Sequence, residues 1–595
     1  MTKSSSEKEI GHSSSSLHLN RSHGFFNTLN LFFGMIIGSG IFISVNQVAK
    51  ETPNAGCAIL MWFGLGLFSI LGSFCFAELG TCFPESGGDF LYLKVLMPKK
   101  YGDLVAFLRI FLELLVIRPG SQAAIALTVS KYIIMPFIGL DFGDNVTETV
   151  ANTTVTVASK LANTTAIVAA EASVDSQTAW LTISMEVGAA IFLTLLFTYI
   201  NAYSINLTKI LCDALSVLKV VVLIGLVCLG LYTIGTGNRK GLVWGSQEDE
   251  MWYIPPNWAT MTGMAVISKL VMASYGGQWS YAGWSDINYA MEEIIEPAKN
   301  YPKAAFISML TITILYTGIV VGFYSVLTHP DITNGIAATT IIFVERAFGY
   351  ESANTIIRIF IAVVVSLSTA GALHSSLFAS ARLFFAGARF NHMPAIFGGL
   401  HKEHQTPVPS LFIICSLSIL YCLFPFFSDT AIDFLINSTC FVYFLAIAIC
   451  VGLLVIWRIR GRPNVGSVLC TPTTTDANTK IVAEQETFLE PEQKLQPKMT
   501  LDEVFTMPLF WHILYCLISL FLTLFALFAE PVQSGYGLLV TALGIPVYYW
   551  FVFNKSNYNS HGEIIPNEGG EITARLLDFL NCKLEKNKEL NEGSE

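Results

Sequence analysis

The sequence predicts an all-α membrane protein, and three observations carry that prediction. Of its 595 residues 53% are hydrophobic and only 13% are charged, about half the charged share of an ordinary soluble domain. Runs of about 20 apolar residues, enough for a helix to cross a bilayer core of about 30 Å, recur along the chain. Two of these runs are interrupted by glycine and serine in matching places. The composition excludes a soluble globular enzyme. A net charge of −10, with no basic block, excludes nucleic acid as a partner and leaves the lipid bilayer as the main environment.

In chain order the runs are 26–49, 57–79, 103–138, 180–202, 207–236, 262–291, 304–327, 355–380, 408–426, 431–457, 507–529 and 534–553, about twelve transmembrane helices. Residues 1–24 contain no apolar h-region and read as a tail rather than a cleaved signal. An even number of crossings puts both termini on one side. Lys94, Lys99, Lys100, Lys299, Lys303, Arg382, Arg389, Lys402, Arg458, Arg460 and Arg462, among others, fall on that side, against Lys50, Lys131, Lys160, Arg239, Lys240 and Arg346 opposite, so the positive-inside rule makes the termini cytosolic. The outer loop 139–179 carries three N-x-[ST] sequons, at Asn145, Asn152 and Asn163, sites for glycosylation on that face. Residues 461–503 form a cytosolic linker and 554–595 a polar tail, helical around Ile572 to Leu580. The twelve cysteines sit mostly in apolar runs, where a thiol packs as a small hydrophobe, and they form no disulfide framework.

The first run reads LFFGMIIGSGIFISVNQVA, with Gly38, Ser39 and Gly40 in its middle. Each glycine costs roughly 1 kcal/mol in a helix interior relative to alanine, so this helix is expected to unwind there. A GxxxG packing face through Gly34 and Gly38 is the competing reading. The sixth run, MASYGGQWSYAGWSDIN, carries Gly276, Gly277, Gly283, Ser280 and Ser285 at the corresponding depth. Interrupted helices at matching positions of two halves point to an inverted repeat, here 25–236 and 262–457 with 506–553 as two extra helices, and to a ligand site between the breaks. Unwound backbone inside a membrane needs protein or a water-lined cavity to satisfy it. The freed amides at Ser39 and Gly40, which open a half-helix, suit a carboxylate. Freed carbonyls at Ile36 and around Trp279 suit an ammonium, so a zwitterion matches both poles.

Charges inside the runs narrow the reading further. Lys219 lies about 18 Å from the start of its helix, too deep to snorkel easily, and must face the bundle interior. Arg118 is also deep. Glu113 is a candidate partner, but five residues apart is an imperfect alignment on an α-helix. Lys269 lies near the outer end of its helix and is expected to snorkel.

The motifs GMIIGSGIF, FAELGTCFPESGGDFLYL, ELLVIRPGSQ, YAGWSDINYAMEE with EPAKNYPKA, and HSSLFASARLFFAGARFNHMPAIF with TPVPS together resemble the L-type amino acid transporters of the amino acid, polyamine and organocation superfamily. The resemblance covers roughly residues 22–460. It implies a LeuT-like fold of two inverted five-helix repeats and sodium-independent exchange of amino acids, large neutral ones first, at the plasma membrane. It also implies a substrate site at Ile36, Ile37, Gly38, Ser39, Gly40, Trp279, Tyr281, Ala282, Gly283, Ser285 and Asp286, with Trp279 as the outer gate. Lys219 falls where sodium-coupled relatives of the fold bind a cation, so its ammonium is expected to replace that ion, to brace the break, or both. Light subunits of the family usually pair through an outer-loop cysteine with a single-pass heavy-subunit glycoprotein. No cysteine occurs from 134 to 180, so a disulfide link is doubtful and any such pairing would be non-covalent. Asp286 stands where related chains often have an amide or aromatic residue. It reads either as a contact for a cationic substrate side chain, which would add cationic amino acids to the range, or as a solvated wall of the inner vestibule.

No nucleophile, metal or nucleotide motif is present, so neither enzymatic activity nor a cofactor is expected. The paired broken helices, without a ring of repeated charges, argue against a channel. A sensor on a transporter scaffold, binding an amino acid without moving it, stays open.

Overall fold

The computed structural model describes residues 23–138 apart from 86, 164–245, 250–334, 339–349, 355–427 apart from 405, 431–461, 504–553 and 582–584. The sequons at Asn145, Asn152 and Asn163, nearly all of the 461–503 linker and the helix expected around Ile572 to Leu580 lie outside them.

The first expected span is two helices, α1 (Phe25–Ile36) and α2 (Gly40–Lys50), bent by 48° at a short break. Then come α3 (Ala55–Cys82), the short α4 (Gly88–Leu96), α5 (Lys99–Leu112) and α6 (Arg118–Ile138), the last two joined through a π-helical turn at Glu113–Ile117. The expected span from 103 thus begins at Lys99 and changes helical phase midway. Next is α7 (Thr164–Tyr203), which starts well before the expected 180 because TTAIVAAEA is rich in good helix formers. The chain continues with α8 (Ile205–Gly235), α9 (Gly263–Tyr281), a 3-10 segment at Asp286–Glu293, and α10 (Pro297–Val326). Two short helices, α11 (His329–Asn334) and α12 (Thr339–Ala347), precede α13 (Thr355–Arg389), α14 (Val408–Cys422), α15 (Ala431–Ile459), α16 (Leu509–Ala529) and α17 (Pro531–Tyr548).

Among the described residues nine single helices are long and apolar enough to cross a membrane, and the bent α1–α2 pair makes a tenth. The α5–α6 and α9 segments carry buried charges or polar stretches that dilute their hydropathy, yet both lie inside the bundle. Helix α6 packs on α7, α13 and α14, and α9 on α2, α15 and α16. Counted with them, the described residues hold the twelve spans expected. Counted by span, the first packs on the sixth, the second on the seventh, the third on the eighth and the fourth on the ninth (α2 on α9, α3 on α10, α6 on α13, α7 on α14). Spans five apart in a five-plus-five inverted repeat run antiparallel, and four of the five such pairs pack together here.

Lipid removes most of the hydrophobic drive between helices and leaves close packing and polar ties. Gln122 of α6 donates to Ser380 of α13 (2.9 Å) and accepts from Ser418 of α14 (2.7 Å). Trp62, Tyr281 and Tyr316 form an aromatic cluster joining α3, α9 and α10. The C-terminal tail supplies a strand not expected from the sequence, β2 (Cys582–Leu584), antiparallel to β1 (Gly399–His401) in the connection between α13 and α14.

Candidate functional site

At the first break Ile37 is extended (φ −73°, ψ 104°) and Ser39 begins the next half-helix. The Ser39 carbonyl accepts from the amides of Phe42 (3.0 Å) and Ile43 (3.2 Å). As at any helix start, the first amides of α2 have no helical acceptor; here these are the amides of Ser39, Gly40 and Ile41. On the other side of the break the Ile36 carbonyl faces the Tyr316 hydroxyl at a long 3.5 Å. The sequence placed this break correctly.

The second break falls at the last of its three glycines. Gly276 and Gly277 stay within α9, where they admit close neighbours: a β-carbon would lie 2.8 Å from Gln47 in the first case and 2.3 Å from Leu65 in the second. The helix opens at Ala282, which is extended (ψ 158°), and at Gly283 (φ +108°). The two breaks cross in contact. A β-carbon on Gly283 would sit 2.6 Å from the Met35 carbonyl oxygen, and one on Gly40 would sit 2.4 Å from Ser280 Cα. The structure therefore brings the two ends of the first break together with the second, Met35 and Ile36 against Gly283 and Gly40 against Ser280.

Exposure separates the two faces of the second break. Trp279, Ala282, Gly283 and Asp286 are half-buried, while Ser280, Tyr281, Trp284 and Ser285 are buried. The Tyr281 side chain turns into the core, donating to the Trp62 carbonyl (3.0 Å). Ser285 shares a hydrogen bond with the Tyr443 hydroxyl (3.0 Å), a residue of α15 that sequence reasoning did not single out.

Asp286 is neither free for a substrate nor merely solvated. Its two oxygens accept from Arg118 Nη1 (2.7 Å) and Nη2 (2.9 Å). Arg118 Nε donates to Glu113 (2.6 Å). The five-residue spacing that looked misaligned is resolved by the π turn: the Arg118 amide bonds to the Glu113 carbonyl, and i to i+5 is the π-helical register. Glu113 also pairs with Arg109, which donates from Nε to Asp89 (2.7 Å), and Asp89 accepts from the Tyr289 hydroxyl (3.1 Å). Three carboxylates and two guanidiniums thus form one chain from the second break to α4. Its members are scattered between 89 and 286, and no local pattern announces it.

Lys219 is fully buried, and its Nζ donates to the Gly34 carbonyl (2.8 Å). Its stem lies where a β-carbon on Gly371 of α13 would sit, 2.8 Å from Cε, so the ammonium fills the joint between α1, α8 and α13. Below it, toward the N-terminal side of the bundle, is a cavity of about 80 Å³ whose lining includes Asn27, Asn30, Asp213, Cys212, Ser216 and Ser375. On the opposite side polar groups tie the helices together. Asn46 donates to the Ile332 carbonyl (2.6 Å), Gln47 to Asn437 (3.0 Å), and the partly exposed Lys269 pairs with Glu51 (2.9 Å).

A profile of the amino acid permease family matches residues 24–553. The chain belongs to the amino acid permease family. It is a membrane transporter of amino acids, not an enzyme. Among its relatives is the human large neutral amino acids transporter small subunit 2, 27% identical, with 92% of this chain and 84% of the relative covered. The human Asc-type amino acid transporter 1 is 26% identical (90% and 83% covered), and the human cystine/glutamate transporter 27% (90% and 86%). A solved structure of Mhp1, a nucleobase-cation-symport-1 family transporter, aligns with a TM-score of 0.43 at 14% identity, over 90% of this chain and 94% of that one.

Proposed function

We propose that this permease is a sodium-independent, obligatory exchanger of large neutral amino acids that works by alternating access at the plasma membrane, with both termini cytosolic. The observation that carries the reading is Lys219 bonded to the Gly34 carbonyl just before the first break. A fixed ammonium there supplies the positive charge a co-transported cation would otherwise bring, so no ion gradient need be coupled.

In this reading the unbonded amides of Ser39 and Gly40 hold the substrate carboxylate. The carbonyls of Ile36, Trp279 and Ala282 receive its ammonium, and the Trp279 indole covers the site from the outer side. The backbone thus binds the part every amino acid shares, with side-chain choice left to the rest of the pocket. Both oxygens of Asp286 are engaged by Arg118, which favours the neutral range over the neutral-plus-cationic one. Several relatives are named as small subunits, so a single-pass heavy-subunit glycoprotein, held without a disulfide, is the partner we propose.

The test is uptake of radiolabelled leucine, arginine and glutamate by the purified full-length chain in liposomes preloaded with leucine, in sodium and in choline. Leucine uptake that needs internal amino acid and is equal in the two salts is expected. Uptake that needs sodium, or that proceeds into empty liposomes, would overturn the exchanger. Binding of leucine without flux, alone and with a heavy subunit, would instead establish a sensor.

A further inference from the structure

The transport reading leaves the Arg118–Asp286 pair without a task, and the inference that follows rests on that reading. Arg118 is held from two sides. Its Nε end is fixed by Glu113, itself pinned by Arg109, and its Nη fork meets Asp286 with two parallel hydrogen bonds of 2.7 and 2.9 Å. This fork-to-fork geometry is the one a guanidinium offers to any carboxylate. The pair is not symmetrically enclosed: the Arg118 side chain is 6% exposed and that of Asp286 15%. The carboxylate is therefore the more accessible member of the pair, half-buried like Ala282 and Gly283, and the guanidinium is the more enclosed.

We infer that Asp286 occupies a carboxylate subsite built by Arg118 at the second break, and that this internal occupant sets the transporter's selectivity against charged side chains. An acidic substrate finds the guanidinium already taken and a carboxylate in its way. A basic substrate finds an acid whose two oxygens are committed, backed by a positive charge. One ion pair excludes both classes and leaves the pocket to uncharged side chains.

The charge balance makes the inference testable. With Asp286 the chain of buried groups holds three carboxylates and two guanidiniums; without it, Asp89 and Glu113 balance Arg109 and Arg118. Removing the Asp286 carboxylate does not strand a net charge in the bundle. It frees two Nη donors, still aimed by Glu113, where the more accessible carboxylate stood. A substrate bearing a side-chain carboxylate restores the missing partner.

The experiment compares the wild-type chain, Asp286→Ala, Asp286→Asn and the double variant Asp286→Ala/Arg118→Gln in leucine-loaded liposomes, using leucine, glutamate, glutamine and arginine. In Asp286→Ala the ratio of glutamate to leucine uptake rises by about tenfold or more, the worth of a charge-assisted hydrogen bond, while the ratio of glutamine to leucine does not. Asp286→Asn, whose amide oxygen still accepts from one arm of the fork, shows a smaller rise. In the double variant the rise disappears. An unchanged glutamate ratio in Asp286→Ala overturns the inference, as does a rise that survives loss of Arg118. Should a variant carry no flux, thermal stability of the purified protein with and without glutamate decides: glutamate raises the Tm of Asp286→Ala and not of wild type, or the inference fails. Absence of leucine uptake by the wild-type chain would overturn the transport reading, whereas the glutamate-dependent Tm compares two forms of one chain and tests the subsite separately.

Discussion

Lys219 is the residue on which the sodium question turns. A buried ammonium bonded to the Gly34 carbonyl joins α1 to α8, and it presses on Gly371 of α13. Lys219→Ala removes the charge and leaves that carbonyl unpaired, so exchange is expected to fall about tenfold or more while the protein still reaches the cell surface. Counterflow in liposomes and surface biotinylation check the two halves, and a near-wild-type rate would reduce Lys219 to a brace without a transport role. Gly283 makes a different demand. It combines φ +108° with a Met35 carbonyl 2.6 Å from where a β-carbon would stand. Gly283→Ala should destabilise by about 1–3 kcal/mol from the backbone conformation alone and lower the Tm of the detergent-solubilised protein. Gly263→Ala, with nothing within 4 Å, serves as the tolerated control. Lys219 was legible in the sequence because a lysine deep in an apolar run has few explanations. The pairing of Asp286 was not, because its partner lies 168 residues away and only the packed bundle brings the two together.

The helices and their breaks were legible to unequal degrees. Apolar runs of membrane length located the spans, and Gly38-Ser39-Gly40 located the first break because small and polar residues coincide there. The second break was placed too broadly. Gly276 and Gly277 look like helix breakers in sequence, whereas in the bundle they are where α9 approaches Gln47 and Leu65. The π turn at Glu113–Ile117 had no compositional sign at all. Its consequence is large, because the extra residue sets the rotation of α6 relative to α5 and with it the aim of Arg118. Inserting an alanine between Ile117 and Arg118 should rotate α6 by about 100° relative to α5 and separate Arg118 from both Glu113 and Asp286. Unpairing buried charges in this way costs about 3–5 kcal/mol, so the insertion should abolish a monodisperse folded peak in size-exclusion chromatography. Leu114→Ala, which keeps the residue count, should preserve it.

Among the described residues the bundle carries polar ties on one face, called the closed face below, and a cavity on the other. The closed face is held by Asn46 with Ile332, Gln47 with Asn437 and Lys269 with Glu51, and the open cavity between α1, α8 and α13 includes the half-buried Cys212. Under the alternating access we propose, these two conditions exchange, so weakening the tied face must reduce the time the cavity spends open. The Lys269–Glu51 pair is partly exposed, worth under about 1 kcal/mol, so Glu51→Gln should lower the rate of Cys212 labelling by an impermeant maleimide, applied from the N-terminal side, by about twofold. His329 extends the argument to pH. It lies outside the spans, with Tyr324 donating to its Nδ1 (2.9 Å) and its Nε2 against the Thr52 carbonyl at the end of α2 (3.2 Å). Burial holds its pKa below the usual histidine value against the pull of the Thr52 and Ala49 carbonyls. A histidine with a lowered folded pKa stabilises the structure above its unfolded value of about 6.5, and that support is lost as pH falls through the lower folded value. Protonation would also remove the acceptor Tyr324 uses, while Asp331 nearby is already engaged by Arg346 (2.8 Å). Acidifying the closed-face side to about pH 5 should therefore slow Cys212 labelling in the same direction as Glu51→Gln, and His329→Gln should flatten that response. Mass spectrometry of the Cys212 peptide reads the rate. Faster labelling in acid, or an acid response that persists in His329→Gln, would show that His329 does not hold the closed face.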